Sequence, residues 1–82
     1  MAYLLATNGL DRGQAYELVL GDNVIGRDAD CNVHLNLPSV SRKHVRLVAD
    51  DPHFTISDLN SANGTKINGH ELTNPVSLQP GD

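Results

Sequence analysis

The chain has 82 residues, a formal net charge of -4 and a hydrophobic fraction of 39% with few aromatics and no Trp. A chain of this size holds one domain, which buries only about 60% of its unfolded surface or a little more. The acidic balance argues against a nucleic-acid binder, which needs a basic surface, and the longest apolar stretch, around Tyr3 to Ala6, falls far short of the roughly 20 residues of a membrane span.

With so few aromatics, Val, Leu and Ile must fill the interior, and that bias favours strands. A first short strand is predicted near 2–6, before a turn at Asn8-Gly9. Tyr16, Leu18 and Leu20 then alternate with Ala15, Glu17 and Val19, the period of a half-buried strand, up to a turn at Gly21-Asp22. Short strands at 23–27 and 33–35 follow. Val45, Leu47 and Ala49 alternate with His44, Arg46 and Val48. Beyond a turn at Asp50-Asp51-Pro52, Phe54 and Ile56 alternate with His53, Thr55 and Ser57. Asn63-Gly64 marks another turn, and Asn68-Gly69 should fold Thr65-Lys66-Ile67 back on His70-Glu71-Leu72, since both residue types tolerate positive φ. A last strand is predicted near 75–78.

No helical period appears, so the reading is all-β: one domain over 1–82, with antiparallel strands in two packed sheets or a barrel. The longer loops, about 28–40 and 58–64, bracket the strand 44–49. Leu78-Gln79-Pro80-Gly81-Asp82 reads as a turn with no strand after it. The expectation is a sheet completed by strand exchange or edge pairing with another copy, or a chain that is part of a longer protein. The single cysteine, Cys31, cannot form a disulfide within the chain, and no signal-peptide series opens it, so a cytoplasmic setting is expected.

Three polar fragments stand out in predicted turns and strand ends: Gly26-Arg27, Ser41-Arg42-Lys43-His44 and Ser61-Ala62-Asn63-Gly64-Thr65. Five of the six basic residues, Arg27, Arg42, Lys43, Arg46 and Lys66, lie in the middle of the chain, which suggests a small cationic site in an acidic body. A phosphate monoester carries about 1.5 to 2 negative charges near pH 7 and three acceptor oxygens. Arg27 offers a planar fork of donors, Ser41 a hydroxyl and a backbone N–H, and Arg42 and Lys43 further charge. Asn63 and the backbone around Gly64 could hold an extended peptide. Taken singly, each fragment has an ordinary reading as a solvated Arg, a chance Ser-x-x-His or a hairpin turn. Their joint occurrence on one strand pattern points to a phosphopeptide.

In this combination the chain resembles the forkhead-associated (FHA) domain, a β-sandwich that reads phosphothreonine. The matching residues are Gly26-Arg27, Ser41-x-x-His44, Asp58-x-x-Ser61-x-Asn63-Gly64-Thr65 and Asn68-Gly69, from about residue 3 to the end. The resemblance implies that Arg27 and Ser41 contact the phosphate or the adjacent peptide backbone, that Asn63 holds the peptide main chain, and that Arg42 adds a phosphate contact. It makes Gly26, His44, Ser61, Gly64, Thr65 and Gly69 supporting residues. It also implies a non-catalytic module in Ser/Thr kinase signalling, whose partner carries phosphothreonine and is a kinase or its substrate, with no cofactor or metal. Arg42, where some relatives carry Asn, and the short lead before the first strand are similar to bacterial members. Ala62 stands where a Thr or Ser is often found. FHA domains usually continue past Gly-Asp into one or two further strands, so the resemblance implies a sandwich lacking its last strands.

Two enzymatic readings compete on the residues themselves. Ser41, His44 and Asp58 could be cast as a triad, but the sequence has no nucleophile elbow and no evident oxyanion hole. Cys31-x-x-His34 with His44, His53 or His70 could supply zinc ligands, but a second compact pair is missing. The stronger rival is a scaffold that binds another protein independently of phosphate, by a sheet face or added strands.

Overall fold

The computed structural model describes residues 2–7, 9, 12–50, 53–79 and 82. Among them the chain forms strands and no helix: β1 (Ala2–Leu5), β2 (Ala15–Leu18), β3 (Gly21–Gly26), β4 (Val33–His34), β5 (Val45–Asp50), β6 (His53–Asp58), β7 (Lys66–Ile67), β8 (His70–Glu71) and β9 (Val76–Leu78). Parts of three predicted turns, at Asn8, Asp51-Pro52 and Pro80-Gly81, lie outside the described residues.

β5 and β6 form the centre because their alternation is cleanest. Val45, Leu47 and Ala49 of β5 are buried, and antiparallel register sets Leu47 opposite Ile56 and Ala49 opposite Phe54. Each fully buried Leu or Val contributes about 1.5–3 kcal/mol, which fixes the register, because a one-residue slip would turn this face to water. Around this pair stands a five-stranded sheet of order β4-β3-β5-β6-β9. One pair breaks the antiparallel expectation: β4 runs parallel to β3, with Ile25 opposite Val33 and Gly26 opposite His34. Residues 27–32 make the connection between the two strands.

The second layer consists of the β1–β2 and β7–β8 hairpins. Leu72 joins Val45 and Ile56 in a buried cluster against which Ile25, Ile67 and Leu78 pack, so the end of the second hairpin closes over the central strands. The turn at Asn68-Gly69 is as expected, with φ of 50° and 83° and Lys66 opposite Glu71.

The sequence pattern errs between β2 and β3. Alternation through Leu20 predicts a strand to that point, yet β2 ends at Leu18, Leu20 is 79% exposed, and Gly21-Asp22 opens β3 instead of forming the turn. The cause is Asn23, which is fully buried. Its Oδ1 accepts from Val19 N (2.8 Å) and its Nδ2 donates to the carbonyls of Val19 (2.9 Å), Gly21 (3.2 Å) and Leu47 (3.1 Å). The amide thus takes Val19 out of the strand ladder and closes the corner. Asn32 extends the network, donating to Asn23 Oδ1 (2.8 Å) and accepting from Val24 N (2.7 Å), which ties the 27–32 loop to β3.

Candidate functional site

Pairing between β3 and β5 continues beyond the two strands. His44 N donates to Ile25 O (2.9 Å), Arg27 N to Ser41 O (3.0 Å) and Asp28 N to Arg42 O (3.1 Å). These bonds set Arg27 beside Ser41. Gly26 makes the approach possible: a Cβ there would lie 2.1 Å from Arg42 O and 2.8 Å from its carbonyl carbon. Cys31 supports the same segment, its buried thiol donating to Arg42 O (3.3 Å). Burial, then the negative charge of Asp28, pushes that thiol above its ordinary range and keeps it a donor.

The neighbouring loop leaves the end of β6 and is organised by Asp58. This carboxylate accepts from Ser61 N (2.9 Å), Ser61 Oγ (2.5 Å) and Thr65 Oγ1 (2.7 Å). The Ser61 hydroxyl, then Thr65 and the Ser61 N–H, hold its pKa below the usual carboxylate value against the opposing effect of burial. Thr65 O in turn accepts from Leu72 N (2.8 Å), so the loop is anchored to the β7–β8 hairpin as well.

His44 joins the two loops. Ser41 N donates to His44 Nδ1 (3.0 Å), and His44 Nε2 meets Gly64 O at 2.8 Å. A backbone N–H can only donate, so Nδ1 is unprotonated and the neutral ring donates from Nε2 to the Gly64 carbonyl. Gly64 presents that carbonyl from a left-handed φ of 76°, which disfavours any other residue. A third tie runs from Ala62 N to Ser41 Oγ (2.9 Å), and a fourth from Asn63 Nδ2 to Ser39 O (2.7 Å).

The site therefore brings Arg27, Ser41, Arg42 and Asn63 onto adjoining loops, with Gly26, His44, Ser61, Gly64 and Thr65 beneath them. Gly69 sits apart, in the β7–β8 turn. Arg27 gives Nε–H to Val40 O (3.0 Å) and keeps its terminal guanidinium nitrogens. The Ser41 hydroxyl accepts from Ala62, which leaves its hydrogen to donate outward. Asn63 keeps Oδ1 and one amide hydrogen. The side chains of Arg42 and Lys43 are exposed and have no hydrogen bond or ion pair among the described residues.

Two sequence expectations change. The Ser41 backbone N–H, expected to meet a phosphate, is occupied by His44. Arg46 leaves the cationic group, because it pairs with Asp22 at 2.7 Å on the sheet surface, and Lys66 lies on β7. The cationic group narrows to Arg27, Arg42 and Lys43. Sequence reading missed the supporting roles of Asp58, Cys31 and Asn23. For Asp58 a signal existed, since Asp followed three residues later by a hydroxyl residue commonly forms a local side-chain turn.

The triad and zinc geometries do not form. Both ring nitrogens of His44 face backbone groups of Ser41 and Gly64, away from Ser41 Oγ. Among the described residues, no three His, Cys, Asp or Glu side chains are grouped as metal ligands would be. A cavity of about 310 Å³ lies between the end of β6 and residues 72–75, and none of Arg27, Ser41, Arg42 and Asn63 lines it.

The FHA domain family model matches residues 23–82. The chain is 31% identical over 72 residues to the mouse (Mus musculus) proliferation marker protein Ki-67, covering 88% of this chain and 2% of that protein. It therefore spans a small fraction of the curated relatives it matches. Among solved structures, one from a study of phosphothreonine-dependent FHA domain interactions superposes with a TM-score of 0.77 at 36% identity, covering 82% of this chain and 69% of the other. Mycobacterium tuberculosis EmbR, in complex with a low affinity phosphopeptide, superposes with a TM-score of 0.82 at 30% identity, covering 94% of this chain and 20% of that one.

Proposed function

The chain belongs to the FHA domain family, and from that premise we propose that it binds phosphothreonine peptides as a non-catalytic module of Ser/Thr kinase signalling in the cytoplasm. One observation carries the reading: the outward donors left by the internal bonding are those an anion needs. They are the terminal nitrogens of Arg27, the Ser41 hydroxyl hydrogen and the cations of Arg42 and Lys43. Asn63 then holds the peptide main chain next to the phosphothreonine. Two or three charge-assisted bonds at about 1.5–3 kcal/mol each, offset by ordering the peptide, give an affinity of roughly micromolar order. The partner is a phosphothreonine-containing protein, a Ser/Thr kinase or its substrate.

The test is an anisotropy titration with phosphothreonine, phosphoserine and unphosphorylated peptide pools. Binding confined to the phosphothreonine pool and lost in Arg27→Ala is expected. Equal binding of all three pools would refute direct phosphate reading.

A second reading, a phosphate-independent assembly role through pairing with another copy, is favoured by one feature. β9 stands at the edge of its sheet beside a cavity of about 370 Å³ lined in part by Ile67, Leu72 and Val76. A monodisperse monomer in light scattering would remove it.

A further inference from the structure

We propose that His44 is a positioning residue whose protonation loosens the Ser41 side of the site, so that ligand binding is gated by pH through the protein as well as through the phosphate. The consequence for peptides rests on the phosphopeptide reading above; the switch itself is a property of the free protein.

The geometry admits only one charge state of the ring. Nδ1 must offer a lone pair to Ser41 N–H at 3.0 Å while Nε2–H donates to Gly64 O at 2.8 Å. A proton on Nδ1 would set two donors against each other across that 3.0 Å gap, so an imidazolium is incompatible with the Ser41 half of the bridge. Ser41 N and Gly64 O belong to the two loops that carry the ligand-facing groups. Protonation therefore removes the tie from His44 to Ser41 N and leaves that residue held by Arg27 N and Ala62 N, while the Nε2–H bond to Gly64 O persists. Histidine is the side chain whose charge ordinarily changes within the physiological range.

The charged groups around the ring come from several elements. Asp58, at the end of β6, lies close enough that a charge on the His44 ring would act on its carboxylate. Glu71 of β8 lies beside Gly64, with a carboxylate oxygen 3.2 Å from where a Cβ on that glycine would sit. The cations Arg42 and Lys43 lie in the ring's own segment, and Arg27 lies across the ladder beside the acid Asp28. The site thus encloses a neutral ring between opposing charges, while Asp58 is kept ionised to hold the second loop. The closed arrangement requires both states together.

The experiment is a pH titration of the ligand-free protein by ¹⁵N and ¹³C NMR, from about pH 7.5 to about pH 5, which follows the His44 ring and the amides of Ser41, Gly64 and Thr65 together. The expected result is one shared midpoint, with the protection factor of Ser41 N–H, its exchange corrected for the intrinsic effect of pH, at least about tenfold lower below it than above. In His44→Gln, whose amide can offer an acceptor and a donor without gaining a proton, the shared transition is absent. A ring that titrates while those amides stay fixed overturns the proposal, and so does a ring that gains no proton over the range. The wild-type data decide even if the variant does not fold. Phosphothreonine peptide binding at about pH 7.5 is scored separately. No binding beside a shared midpoint overturns the functional reading and leaves the gate standing; binding beside fixed amides does the reverse.

Discussion

Gly26→Ala is the sharpest test of how the site is built. The added methyl would lie 2.1 Å from Arg42 O and 3.0 Å from Lys43 Cα, and both obstacles are backbone, so no side-chain rotation relieves them. Residues 41–43 must move away from β3. That displacement breaks Arg27 N to Ser41 O and Asp28 N to Arg42 O, and strains His44 N to Ile25 O. At about 1 kcal/mol net each, the two broken bonds give a loss of about 2 kcal/mol, or a Tm lower by about 8–16 °C for a chain of this size. Phosphopeptide affinity, read at a temperature where the variant is folded, should be lost, because Arg27 and Ser41 no longer adjoin. Gly13→Ala is the control. Its φ of +92° makes the change costly, by about 1–2 kcal/mol, but no heavy atom lies within 4 Å, and binding should survive. A Gly26→Ala protein with wild-type affinity and a Tm within about 4 °C would refute the close-approach argument.

Asp58→Asn removes the anionic acceptor of three donors and should cost about 2 kcal/mol, or about 8–16 °C in Tm. Because the folded state lowers the pKa of Asp58, the stability it contributes is present above the unfolded value and lost as pH falls through the folded one. Acid titration of the wild type below about pH 4 should show this loss, and the Asn variant should lack that component. Arg46→Ala breaks an ion pair whose side chains are 48% and 60% exposed, so stability should change by less than about 1 kcal/mol and peptide affinity by less than about twofold. An affinity loss as large as that of Arg27→Ala would return Arg46 to the binding site.

Where one face of a strand is buried, the sequence was legible. Val45, Leu47 and Ala49 alternate because burial on one side selects them, and Asn68-Gly69 announces its turn through the φ values it must adopt. The 15–20 pattern misled for a related reason. Leu20 continues the alternation but is not inside, and the residue that decides the corner, Asn23, is polar and buried. A buried amide that satisfies backbone groups of Val19, Gly21 and Leu47 has no signature in hydrophobic periodicity, because its partners are set by the fold. The parallel β3–β4 pair was illegible for a similar reason. Two residues of strand carry too little pattern to show direction.

The polar fragments show the reverse error, since reading them as an inventory of donors counts too many. Most of these side chains divide their capacity, with one atom fixing the site and another facing outward. Arg27 gives Nε–H to Val40 and keeps its terminal nitrogens; Ser41 accepts from Ala62 and keeps its hydroxyl hydrogen; Asn63 gives one amide hydrogen to Ser39 and keeps its carbonyl oxygen. His44 gives everything to the scaffold and keeps nothing for a ligand. The division has an energetic consequence. A long side chain such as Arg loses up to about 2 kcal/mol of rotamer freedom when fixed, and bonds made before the ligand arrives remove part of that cost from the binding step. The outward atoms are then few but already placed. A short exposed site on a chain of 82 residues can therefore offer these atoms to a charged peptide without an enclosed pocket.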